Sequence, residues 1–138
     1  MTQPIAFVSF DIARNETERG LFMAQLPTCL TEFAVEDWSS EPSAPRSEWD
    51  KHVHGKIGRC DFMVVLIGKE PPSAAVEQEI RFAKRANVPF FGVCVDGSPE
   101  QSQLPEGLPS NRAIPWDWER IGAAVRQLMR EGKNHVFA

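Results

Sequence analysis

Three short apolar runs limit the folds open to this chain more than any other feature. They are "IAFVSF" at residues 5–10, "DFMVVLIG" at 61–68 and "VPFFGVCV" at 88–95. Each run is too short for a typical helix, and the last two are almost continuously apolar. Strands have this character when helices cover both faces of a parallel sheet. With two weaker strand signals at 32–38 and 112–116, the sequence predicts about five parallel strands.

Helical patterns alternate with these strands. They cover 15–26, 47–60, 73–87 and 116–132, while 96–111 is rich in Pro, Gly and Ser and is typical of a long loop. Strict alternation predicts a three-layer, doubly wound α/β sandwich, flavodoxin-like, with strand order 2-1-3-4-5. In that order the chain reverses direction between strands 1 and 3, so we expect a ligand crevice at their carboxyl ends. The length of 138 residues predicts a single domain, 1–138.

Composition excludes several function classes. The formal net charge is −4, and binding to nucleic acid or an anionic membrane depends on clustered Lys and Arg, so neither partner is expected. The first residues lack the features of a signal peptide and no run of 18 apolar residues occurs, which favours a cytoplasmic protein. The cysteines, Cys29, Cys60 and Cys94, are widely spaced and odd in number, which is typical of reduced, buried thiols.

One glutamate falls on the wrong side of its predicted helix. At 100° per residue, the apolar residues of the helix at 73–87 lie within one arc of roughly 160°. They are Ala75, Val76, Ile80, Phe82, Ala83 and Ala86. Glu79 lies inside this arc, beside the expected crevice. A carboxylate there either reaches solvent or pairs with a basic side chain, or it has a functional reason to be partly desolvated.

The residues that end strand 1 are the second candidate group. Phe10 can stack on a ring, and Ser9 and Asp11 can contact sugar hydroxyls; equally, Phe10 can belong to the core and Asp11 to a turn or helix start. A glycine-rich phosphate loop is absent from the sequence, and the three histidines have no metal-ligand partners at suitable spacing, so no metal site is expected.

An ordered set of motifs carries a family resemblance over residues 5 to 95. The motifs are "FVSF" followed by Asp11, "VEDWSS" after the second strand, Trp49 with Val53 and Ile57, "CDFMVVLIGKE", "SAAVEQEI" and "VPFFGV". Together they resemble the bacterial TIR-like domains of the Thoeris ThsB type, in the TIR domain superfamily. In that family a Ser/Thr, a Trp-Val pair and a Glu-Ile pair follow strand 3. Ser73, Val76, Glu79 and Ile80 match these places.

The resemblance implies NAD+ chemistry in anti-phage defence. Enzymatic TIR domains cleave the nicotinamide–ribose bond of NAD+, and some cyclise the ADP-ribose product into a signal molecule. Glu79 then matches the family's catalytic glutamate, with NAD+ as substrate and no tightly bound cofactor. The implied substrate-binding residues are Ser9, Phe10, Asp11, Asp37, Trp38, Ser39, Gly68 and Ser73. The resemblance also implies self-association through TIR surfaces, and a separate effector protein that responds to the product.

Two alternatives stay open. Ala75 stands where the family has the tryptophan of its Trp-Val pair, which favours a non-catalytic TIR-like module that binds a nucleotide or another protein. A nucleoside 2-deoxyribosyltransferase-like enzyme shares the doubly wound scaffold and also uses a glutamate at an anomeric carbon.

Overall fold

A computed structural model describes residues 4–10, 12–26, 33–35, 55–68, 74–95, 104–105, 107–108 and 112–131. For residues 12–16, 74–75 and 131 it describes the backbone only.

A five-stranded sheet forms the centre of the fold. Its strands are β1 (Ile5–Ser9), β2 (Ala34–Val35), β3 (Phe62–Ile67), β4 (Phe90–Cys94) and β5 (Ala113–Pro115). They lie in the order β2-β1-β3-β4-β5, and every neighbouring pair is parallel. The predicted α/β class and the flavodoxin-like strand order are confirmed.

Within the described ranges, three long helices connect and flank these strands: α1 (Ile12–Gln25), α2 (Ala74–Arg85) and α3 (Trp118–Glu131). Residues 55–59 are also helical and belong to the helix predicted at 47–60, whose earlier part lies outside the described residues. Helix α1 begins three residues before the predicted start. The sequence carried a signal for this, because Asp11 is of a residue type that favours the position before a helix.

Helix α2 ends in a well-defined capping motif. Asn87 has a φ of 58°, the Asn87 N–H donates to the Lys84 carbonyl at 3.2 Å, and the Val88 N–H donates to the Ala83 carbonyl at 2.8 Å. This pair of bonds is the Schellman arrangement, in which asparagine can take the place of glycine. The chain therefore leaves the helix directly into β4.

Strand alternation divides the core into two faces. The α2 face contains buried residues of the helical segment 55–59, of α2, of the strands and of the segments that connect them: Phe7, Ile57, Cys60, Met63, Val65, Ile67, Val76, Ile80, Phe82, Ala83, Val88, Phe90, Cys94 and Leu108. The α1/α3 face contains Ala6, Val8, Phe22, Phe33, Phe62, Val64, Leu66, Phe91, Val93, Ile121, Val125 and Leu128. All six residues of β3 are buried, which explains why its sequence is continuously apolar.

Two further predictions concern thiols and membranes. Cys60 and Cys94 are buried thiols outside any disulfide, as expected, whereas Cys29 lies outside the described residues. Among the helices of the described ranges, none combines the length and the apolar character that crossing a bilayer requires.

Candidate functional site

The carboxyl ends of β1 and β3 meet at one edge of the sheet. Ser9 is the last residue of β1 and pairs with Val65, and β3 continues to Ile67. Gly68 follows directly and is half-buried. β3 therefore extends two residues beyond the position of Ser9 and flanks the end of β1. This is the position at which the strand order reverses, where open α/β sheets bind their ligands.

A buried hydrogen bond links this edge to α2. The Ser9 hydroxyl donates to Glu79 Oε1 at 2.5 Å, although 70 positions separate the two residues in the chain. Only 5% of Glu79 and 1% of Ser9 are exposed, and these two are the buried polar residues of the described chain. The expected position of Glu79 on the buried side of its helix is confirmed.

Helix geometry explains how a carboxylate reaches this place. Val76, Ile80 and Ala83 hold α2 against the sheet through the α2 face of the core. Glu79 precedes Ile80 and follows Val76 by three positions, so packing of these apolar neighbours carries its side chain inward. In β1, Phe7 belongs to the same face, and Ser9, two residues later, is on that face too. The apolar contacts therefore bring the two polar side chains together.

Burial changes the ionisation of this carboxyl. Desolvation raises the pKa of Glu79 from 4.5 to about 8, and the hydrogen bond from Ser9 acts in the opposite direction. At pH 7 the site therefore holds a carboxyl group that is mainly protonated. A positive charge entering the site would favour the ionised form and lower this pKa.

Phe10 lies on the other side of the sheet. Its side chain packs against the α1/α3 face of the core, and the guanidinium carbon of Arg19 is 5.6 Å from the centroid of its ring. Strand alternation causes this, since successive residues point to opposite faces. Phe10 thus contacts Arg19 of α1 in a cation–π arrangement, which was not predicted from the sequence. The stacking role of Phe10 stays a prediction.

The structure describes four of the nine predicted site residues. It brings Ser9 and Glu79 together, places Gly68 after the neighbouring strand, and directs Phe10 away from them. The other five, Asp11, Asp37, Trp38, Ser39 and Ser73, lie outside the described residues. In the described part of the chain, no group of three His, Cys, Asp or Glu side chains is arranged to hold a metal ion.

The link between Ser9 and Glu79 was also not predicted from the sequence. Its signal was present in "IAFVSF", where a lone hydroxyl stands at an inward position of an otherwise apolar strand. A buried hydroxyl needs a partner, and the glutamate in the apolar arc of α2 needs one as well.

Comparisons with known proteins establish similarity of fold. No protein-family model matches the chain, and a search of curated proteins finds no match. Among solved structures, a CMP N-glycosidase, BcmB, from Clostridium botulinum is similar with a TM-score of 0.55 and 11% identity, covering 91% of this chain and 98% of that one. A prokaryotic SEFIR domain is similar with a TM-score of 0.54 and 13% identity, covering 93% of this chain and 97% of that one. The chain is thus a structural neighbour of both an N-glycosidase and a SEFIR domain.

Proposed function

We propose that this protein cleaves the N-glycosidic bond of a nucleotide, with NAD+ as the preferred substrate and the nicotinamide–ribose bond as the one broken. The observation that carries the proposal is the buried Glu79 carboxyl, which accepts a hydrogen bond from Ser9 at the carboxyl end of β1, where the strand order reverses. A side chain that bears the cost of desolvation at the expected ligand site has the features of a catalytic group.

The charge of NAD+ suits this carboxyl. The nicotinamide ring of NAD+ is cationic, so its approach favours ionisation of Glu79. When the bond to ribose breaks, nicotinamide leaves as a neutral molecule and needs no proton, while positive charge develops on the ribose. The Glu79 carboxylate stabilises that charge. Water then adds to the ribose and loses a proton, giving ADP-ribose, or a nucleophile within the ADP-ribose closes a cyclic product.

The remaining predicted contacts follow from this role. Gly68 and Ser73 follow β3 in the chain, and Asp11 follows β1. Asp37, Trp38 and Ser39 follow β2, whose carboxyl end meets the same edge of a parallel sheet. We propose that these residues, with Phe10, hold the nucleotide.

Cleavage of a pyrimidine nucleotide is the second candidate. The raised pKa of Glu79 favours it, because a cytosine base leaves more readily when it receives a proton, and a protonated carboxyl can supply one. A similar fold belongs to a CMP N-glycosidase. Base exchange between deoxynucleosides is a variant of this candidate, in which a second base replaces water at the anomeric carbon.

The proposed biological setting is anti-phage defence. We propose that the chain is a TIR-like domain of the Thoeris type, in line with its likeness to a SEFIR domain, and that copies associate through their own surfaces. Its product would act on a separate effector protein. A non-catalytic TIR-like module would show the association without turnover.

Turnover of NAD+ and CMP by the purified protein tests the proposal. Released nicotinamide or cytosine is measured by chromatography at several protein concentrations, so that assembled protein is included, and in lysate from phage-infected cells. Glu79→Gln removes the ionisable group with little change of shape and should lower turnover at least a hundredfold. Glu77→Gln, on the same helix and two residues away, is the matched control and should keep it.

The pH profile separates the two candidates. If ionised Glu79 drives NAD+ cleavage, kcat/KM rises with pH up to the pKa of Glu79 in the free protein, about 8. If protonated Glu79 drives cleavage of CMP, kcat/KM falls above the same value. Equal turnover by wild type and Glu79→Gln with both substrates would refute the assignment of Glu79.

A further inference from the structure

We propose that Ser9 is a positioning residue that holds the Glu79 carboxyl in its working orientation, instead of contacting the substrate itself. This inference rests on the proposed function of Glu79 and changes the role predicted for Ser9. The reason is the burial of Ser9 together with its partner: only 1% of Ser9 is exposed, and its Oγ donates to Glu79 Oε1 at 2.5 Å.

The two partners differ in how firmly their backbones and side chains are fixed. Ser9 is a strand residue paired with Val65, and its Oγ is one bond from Cβ, so the strand sets its position within a narrow range. The Glu79 carboxyl is three rotatable bonds from its helix, and fixing those bonds costs conformational entropy. A hydrogen bond from the rigid partner to Oε1 selects one orientation of the flexible one. It leaves Oε2 as the oxygen that can face a ribose, which is the form of preorganisation that raises reaction rates.

Ser9 also favours the ionised form of the carboxyl. Burial disfavours a charge on Glu79, and the hydrogen bond from Ser9 is the interaction that opposes burial. Without the hydroxyl, ionisation would require a higher pH. Ser9 thus controls two properties of one group, its orientation and its charge.

Kinetics of Ser9 variants provide the first test. Ser9→Ala should lower kcat by roughly tenfold to a hundredfold with little change in KM, since a hydrogen bond to a charged group is lost. It should also move the pH dependence of kcat/KM for NAD+ upward. Ser9→Thr keeps the hydroxyl and should restore both quantities towards the wild-type values. Ser9→Cys, a weaker donor of similar size, replaces Ser9→Ala if that variant does not fold.

A titration gives a readout that does not depend on activity. With carbon-13 in the glutamate carboxyls, the NMR signal of Glu79 is identified by its absence in Glu79→Gln, and its pKa is measured in wild type, Ser9→Ala and Ser9→Thr. The expected result is a pKa roughly one to two units higher in Ser9→Ala and close to wild type in Ser9→Thr.

The outcomes separate this proposal from the proposed function. If neither NAD+ nor CMP is turned over, the proposed function fails, whereas the titration still decides whether Ser9 controls Glu79. An unchanged pKa of Glu79 in Ser9→Ala would overturn the positioning role. So would a variant in which KM rises while kcat is kept, because that pattern indicates direct substrate contact.

Discussion

Replacing Glu79 by glutamine should make the stability of this protein less dependent on pH. Below pH 4.5 the carboxyl is protonated in both the native and the unfolded chain, so its burial carries no ionisation cost. Between pH 4.5 and about 8 the unfolded chain ionises while the native chain stays protonated, so the free energy of unfolding falls as the pH rises. Above about pH 8 Glu79 is ionised in both the native and the unfolded chain, and the free energy of unfolding falls no further.

The size of this effect follows from the two pKa values. The shift from 4.5 to about 8 corresponds to about 5 kcal/mol at the limit, and to about 3 kcal/mol at pH 7. Glutamine does not titrate and can still accept the hydrogen bond from Ser9. The stability of Glu79→Gln relative to wild type should therefore increase steadily from pH 5 to pH 8 and then level off.

Urea denaturation at each pH from 5 to 9 measures this difference. The comparison uses wild type, Glu79→Gln and the control Glu77→Gln, and other titrating groups cancel because they are common to all three proteins. The control Glu77→Gln measures how far the free energy of unfolding changes when a carboxylate other than Glu79 is removed from α2. A stability difference between Glu79→Gln and wild type that stays constant across the whole range would refute the argument from burial.

Two further substitutions test the packing and the backbone. Gly92→Ala should destabilise the protein by about 1 to 3 kcal/mol, because a Cβ at this position would lie 2.5 Å from Ile67 Cδ1 and 2.7 Å from Leu108 Cδ2, both in the packed core. Thermal denaturation measures this loss of stability. An unchanged Tm would contradict the prediction and show that Ile67 and Leu108 move aside freely. Asn87→Ala should cost about 1 kcal/mol, since the φ of 58° is unfavourable for alanine, whereas Asn87→Gly should keep the wild-type stability in the same assay.

The sheet could be predicted from sequence because its central strands are buried on both faces. β3 and β4 have no polar interruption, and in a chain with alternating helices that pattern strongly favours strands covered on both sides. The ends of the helices and strands were harder to predict than their presence. The start of α1 was predicted three residues late, since a helix start depends on backbone capping that the apolar pattern does not show.

The site was predictable only in part, for a different physical reason. Helical periodicity is a local property, and it placed Glu79 on the buried side of α2. The pairing with Ser9 is a contact between distant segments, which depends on strand register and helix docking. Phe10 shows the same limit: its position at the end of β1 was predictable, but its packing toward Arg19 required knowledge of where α1 lies.

The long sequence separation of the Ser9–Glu79 contact has a consequence for how the chain folds. Contacts between distant segments form late, because the entropy of closing the intervening loop opposes them until the connecting structure is in place. Before α2 docks on the sheet, the Glu79 side chain is an ordinary solvated carboxylate with a negative charge at neutral pH. Docking then removes water from it, and folding at neutral pH is accompanied by uptake of a proton at this residue. Proton uptake therefore marks the step at which α2 docks and the Glu79 carboxyl becomes buried beside Ser9.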